Sequence, residues 1–252
     1  MVPPWVPDPG DVAKQGDNEA AAPAGAPVAP SARFGGARRA LGDFAKGGSS
    51  DSLRSGLGRY TSRGLGGSRT AARRMGGAAV RSGTLYGALR SLSGSPTTDG
   101  RPLDPASLAG LSAREVIDAI VEFVSPSDGS QDAESSQHAI AAALSDLLAD
   151  QPDVDLGALT SDEIAWVVER HLVYEIHYRV QLDVGKSVID NAPSPAIAMR
   201  RLDEIRDYIQ ETVASAFREQ RSTDTPLTNA EATKIASSVL EDTFAVFEEY
   251  VE

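Results

Sequence analysis

The chain has 252 residues, of which 41% are hydrophobic, 24% charged and only 6% aromatic, so its core must be built mainly from aliphatic side chains and alanine. It has no cysteine and three histidines, which excludes disulfides, thiolate zinc sites, iron–sulfur clusters and a cysteine nucleophile and leaves little for a histidine-based metal centre. The net charge of −12 is split: residues 31–95 carry 12 basic and 2 acidic side chains, whereas residues 101–252 carry 11 basic and 29 acidic ones. Such opposed halves imply separate partners, or attraction between the halves. No apolar run approaches the ~18 residues of a membrane span, and the start lacks the charged and apolar regions of a signal peptide. The expectation is a cytoplasmic protein with no membrane contact.

Residues 1–32 read as a disordered Pro/Ala-rich tail. MVPPWVPDPG holds four prolines in ten residues, and proline removes backbone donors and favours extended polyproline II geometry. Val2, Trp5 and Val6 are its main apolar groups. A tryptophan on a proline-rich arm suits a docking anchor, because it brings a large apolar area at low entropic cost. Val2, Pro3, Pro4, Trp5, Val6 and Pro7 form the candidate partner-binding segment.

Residues 33–95 form a basic Gly/Ser/Arg-rich segment that holds fifteen of the 23 glycines. Short helical patterns appear: Leu41 with Phe44, then Leu53, Leu57 and Tyr60, then Met75, Val80, Leu85 and Leu89. Each helical glycine costs ~1 kcal/mol against alanine, so these helices should order only on something else: the acidic body, a partner or a polyanion. Eleven of the twelve basic residues are arginine. Arg38, Arg39, Arg59, Arg63, Arg69, Arg73, Arg74 and Arg81 are the candidate contacts to a polyanion, nucleic acid included, or to an acidic protein surface. The arginine fork serves phosphate and carboxylate alike.

A linker with three prolines covers 96–110, and an acidic α-helical domain follows over 111–252. Three capping boxes, Ser112/Glu115, Thr160/Glu163 and Thr228/Glu231, open helices. The first buries Val116, Ile117, Ile120, Val121 and Val124. A second, near 131–149, turns Ile140, Leu144, Leu147 and Leu148 inward. The third, near 161–190, is apolar on most sides (Ile164, Trp166, Val167, Val168, Leu172, Val173, Ile176, Val180) and should be central. A fourth, near 194–221, uses Leu202, Ile205, Ile209, Val213 and Phe217, and the last uses Ile235, Val239, Phe244 and Phe247. The fold class is all-α: an acidic bundle of about five helices, preceded by the disordered tail and the basic segment. At this size the acidic part should bury enough surface for a core of its own.

No catalytic constellation emerges from spacing. Gly185-Lys186-Ser187 lacks the phosphate-loop glycine, since Val180 stands where it should be. The Gly-rich stretches lack the strand context of a dinucleotide fold. His171 and Glu175, one helical turn apart, read as a solvated or partner-facing ion pair. His171 and His177 lie on opposite flanks. The carboxylate pairs Asp203/Glu204, Glu241/Asp242 and Glu248/Glu249 should face solvent.

The order of segments carries a resemblance. A VPPWVPD start, ARRALGDFAKGG, LGRYTSRGLGGSRTAARRMG, LSAREVIDAIVEFVSPSDGSQDAE and a closing EDTFAVFEEY helix resemble the QatB family of bacterial Qat anti-phage defence systems. The resemblance implies a non-enzymatic protein that needs no cofactor. It further implies partners: an ATPase (QatA), a QueC-like relative of the enzyme that makes 7-cyano-7-deazaguanine (QatC) and a TatD-like nuclease (QatD). It also implies that the N-terminus is a substrate of the QueC-like partner, which attaches a deazaguanine group to the amine of a small terminal residue. A Gly/Ser-rich leader is expected ahead of VPPW. Here the sequence opens Met-Val-Pro-Pro, so no modified residue carries over to this numbering.

Overall fold

In the computed structural model, which describes residues 32–95, 102–220 and 227–251, every regular element is helical. The docking segment Val2–Pro7 lies outside the described residues. Helix α1 (Gly35–Ala45) buries Ala37, Leu41 and Phe44 and stops before Gly47, whose φ is +121°. Helix α2 (Ser50–Arg59) buries Leu53 and Leu57 and runs into a π-helical turn, Tyr60–Leu65. Gly66 and Gly67, at φ +87° and +94°, end it in a conformation that disfavours any side chain. Helices α3 (Ser68–Arg74) and α4 (Gly76–Leu92) follow. Val80 points outward, 57% exposed, because the inner face of α4 runs through Ala78, Ser82, Leu85, Leu89 and Leu92.

The acidic half begins with a short 3-10 turn, Pro105–Leu108, capped by Asp104. Helix α5 (Ala113–Val124) starts at the first capping box. It buries Ile117, Ile120 and Val124, with Val116 and Val121 at the rim. Helix α6 (Gln131–Asp150) is capped by Ser130. Helix α7 (Ser161–Val180) starts at the second capping box, and a π-helical turn, Gln181–Gly185, carries it into α8 (Lys186–Asn191). The predicted third helix is therefore continuous, but with one wider turn inside it. Gly185 has ordinary helical angles there. Helix α9 (Pro195–Gln220) begins with proline, whose missing N–H costs nothing at a helix start. Helix α10 (Asn229–Glu248) opens at the third capping box.

Helix α7 is central, packed on α4, α6 and α9. Its Val167, Leu172 and Ile176 are fully buried, while Trp166 stays at the edge with the Arg170 guanidinium 4.8 Å over its ring. Helix α10 lies across α3 and α4 and also touches α2 and α9. The crossing with α4 is close: a Cβ at Gly83 would stand 2.6 Å from the Asn229 carbonyl oxygen and would overlap Thr233. The Leu227 N–H donates to Tyr86 Oη on α4 at 3.0 Å, fixing how the chain enters α10. The helices of the basic segment thus order on the acidic helices of their own chain. One hydrophobic cluster runs from Phe34 to Phe247, and Ala32–Glu252 form one compact unit. Among the described residues, no helix is long and apolar enough to cross a membrane.

Candidate functional site

A polar ladder runs down one side of α7. His171, Glu175, Arg179 and Asp183 follow at four-residue spacing, the last in the π turn. On a helix, residues four apart are neighbours on one face. The Arg179 Nε donates to Asp183 Oδ2 at 3.2 Å, and His171 Nε2 lies 3.3 Å from Glu175 Oε1 without the alignment of a hydrogen bond.

Other elements supply partners for each rung. From α4, Arg81 Nε donates to Glu175 Oε1 at 3.2 Å, with Glu175 only 7% exposed. From α6, Asp132 Oδ1 accepts from Arg179 Nη1 at 3.2 Å. From the first π turn, Tyr60 Oη donates to Asp183 Oδ2 at 2.9 Å. From α1, Arg38 Nη2 donates to the Asp183 carbonyl oxygen at 2.9 Å, and the Arg38 carbonyl accepts from Ser187 Oγ at 2.7 Å. The two π turns are therefore joined through Tyr60 and Asp183.

The electrostatics follow. Burial pushes the Glu175 carboxyl up, but the His171 contact and charge, with Arg81 and Ser136, outweigh it and bring the pKa down to about 2. The Tyr60 phenol is raised well above its ordinary value by burial first and by the Asp183 charge and hydrogen bond second, so it holds its proton and donates. The predicted solvated His171/Glu175 pair is in fact buried. The correction has a simple cause: α7 is covered on this side by α4, and Arg81 arrives as the balancing cation.

Ser82 Oγ lies 3.0 Å from His171 Nδ1, so serine, histidine and carboxylate stand in a row as in a hydrolytic triad. The geometry does not present a nucleophile. Ser82 is fully buried, and its hydroxyl donates to the Ala78 carbonyl within α4 at 3.0 Å. The cavity beside it is lined by Ala78, Arg81 and Glu175, not by Ser82 or His171.

That cavity, of about 130 Å³, lies between α3, α4, α6 and the end of α7. Arg74, Arg81 and Arg179 line it, together with Asp132 and Glu175. Among the described residues, no cluster of three or more His, Cys, Asp or Glu could hold a metal ion.

The structure separates the predicted arginines. Arg38, Arg69 and Arg81 bind the acidic half: Arg69 Nε donates to Glu241 Oε1 on α10 at 3.2 Å. The neighbouring Ser68 N–H donates to Glu248 Oε2 at 3.0 Å, so α10 caps α3. Arg73 donates to Thr70 Oγ1 at 3.3 Å. Arg39, Arg63 and Arg74 are exposed, and Arg59 is half-buried beside Gly36. Only Arg74 and Arg81 meet at one cavity. Each predicted carboxylate pair has one half-buried member: Glu204 binds Arg201, Asp242 accepts from Gln220 and Glu248 caps α3. Arg179 and Asp183 were missed by sequence reasoning, although the His171-Glu175-Arg179-Asp183 spacing is a readable signal.

No curated protein and no solved structure matches the chain significantly. A family model does: Qat anti-phage system associated protein QatB, over residues 66–247. The match spans α3 to α10 almost entirely, including the ladder and its cavity, and the chain therefore belongs to the QatB family of proteins associated with Qat anti-phage systems.

Proposed function

We propose that this protein is a non-enzymatic, cytoplasmic docking component of its defence system, and that its N-terminal arm is gripped and then modified by a QueC-like partner. The family match over residues 66–247 carries the reading. In this reading Val2, Pro3, Pro4, Trp5, Val6 and Pro7 supply the docking motif, with Trp5 as anchor. A proline-rich arm loses little entropy on binding and leaves its backbone free to pair. The helical body then presents the arm and contacts further components, with the ATPase and the TatD-like nuclease of the system as the candidates.

Intact-mass spectrometry of the protein co-produced with its QueC-like partner tests this. The expected result is a gain of one deazaguanine group at the terminal residue, strongly reduced in Trp5→Ala. An unchanged mass, or full modification of Trp5→Ala, overturns the corresponding part. A second reading, a nucleic-acid-binding adaptor, draws on the exposed Arg39, Arg63, Arg73 and Arg74. It requires an affinity for DNA or RNA that falls steeply with salt.

A further inference from the structure

We propose that the cavity between α3, α4, α6 and α7 is an anion site that takes a single phosphate group. Three guanidinium groups and two carboxylates line it. Arg179 is held by Asp132 and Asp183, and Arg81 uses its Nε on Glu175. The Arg81 terminal nitrogens and the whole Arg74 guanidinium make no hydrogen bond or ion pair among the described residues, although the Arg81 charge is felt by Asp128. The free donors belong to two arginines on successive helices, Arg74 on α3 and Arg81 on α4. Planar guanidinium forks bind phosphate through paired, charge-assisted hydrogen bonds. A phosphate group, with more charge and more acceptor oxygens than a carboxylate, can use both forks.

Gly77 supports the assignment. It lies in the first turn of α4 without a positive φ. The first atom that a Cβ there would meet is Arg81 Nη1, at 3.2 Å. Glycine here leaves the Arg81 fork and the cavity mouth uncovered. The volume of about 130 Å³ suits one phosphate group with a few waters, at ~30 Å³ per water. A whole nucleotide would have to leave its base and sugar outside.

The site does not depend on the docking reading, and the purified chain alone tests it. Calorimetry with inorganic phosphate should give saturable binding. Arg74→Ala, which removes no hydrogen bond or ion pair among the described residues, should weaken it about tenfold or more. Arg63→Ala, an exposed arginine outside the lining, should leave it unchanged. Adenosine monophosphate identifies the source: equal affinity points to free phosphate, and tighter binding points to a nucleotide's phosphate. Absence of binding at millimolar phosphate overturns the proposal. So does an equal loss in Arg63→Ala and Arg74→Ala, which would mean diffuse attraction to a basic surface.

Discussion

His177 sits on the inner side of α7, 7% exposed, with no hydrogen-bond partner for Nδ1. Burial first, and Arg206 on α9 second, bring its pKa down to about 4, against a smaller opposing pull from Asp203 and Asp207. A histidine that is neutral when folded but titrates near 6.5 when unfolded favours folding above pH 6.5. That contribution is lost as pH falls from 6.5 toward 4. Between pH 7 and pH 5 the loss should be about 2 kcal/mol. Urea unfolding of wild type and His177→Leu at the two pH values should show that difference in the wild type alone; parallel curves would refute it. The residue itself was visible in the sequence, but its burial was not. A histidine six positions from another reads as a flank, and only the arrival of α9 decides that the flank is closed. The same holds for Glu175, whose spacing to His171 was plain while its cation came from Arg81, 94 positions away.

Helix starts were legible because they are local chemistry. All three capping boxes form as the Ser/Thr-x-x-Glu spacing requires, with each glutamate bonding back to its cap. The inner faces of α9 and α10 followed from a 3.6-residue period for the same reason. The π turns were not legible, because one extra residue in a helical turn leaves the composition unchanged while shifting the register beyond it. The glycines of α4 were misleading. Counted as propensity they argue against a helix, yet Gly83 is where α10 crosses and Gly76 has open space around it. The two positions should respond oppositely to alanine. Gly83→Ala forces overlap with Thr233 and the Asn229 carbonyl, and overpacking of that kind costs ~1–3 kcal/mol. Gly76→Ala, at the first position of α4, should gain less than the ~1 kcal/mol of a helix interior. Thermal unfolding of both variants checks the pair, and a stabilised Gly83→Ala would mean that the crossing is looser than described.

At the scale of the molecule, the change of composition at residues 96–110 suggests a self-sufficient acidic bundle, and the packing argues otherwise. Helix α10 turns Ala236, Val239, Leu240 and Phe244 inward, and much of what it lies across is α3 and α4. Helix α7 depends on α4 in the same way, for apolar cover and for the Arg81 cation beside Glu175. Without residues 32–95 those faces meet water, and Glu175 loses both its cover and its Arg81 partner. Each buried aliphatic side chain returned to water forfeits ~1.5–3 kcal/mol, a large share of the roughly 5–15 kcal/mol that holds a domain folded. Opposite net charges on the two segments therefore meet at a buried pair, Arg81–Glu175, and at an exposed one, Arg69–Glu241. The chain from residue 102 to its end should consequently show no cooperative unfolding and should bind hydrophobic dyes. The full chain should melt in one transition, with calorimetric and van't Hoff enthalpies in agreement. A sharp, independent melt of the 102–252 fragment would restore the boundary that the composition suggests. It would also reduce the basic helices to an appendage, because only a shared core makes their glycine-lined contacts with α10 necessary for folding.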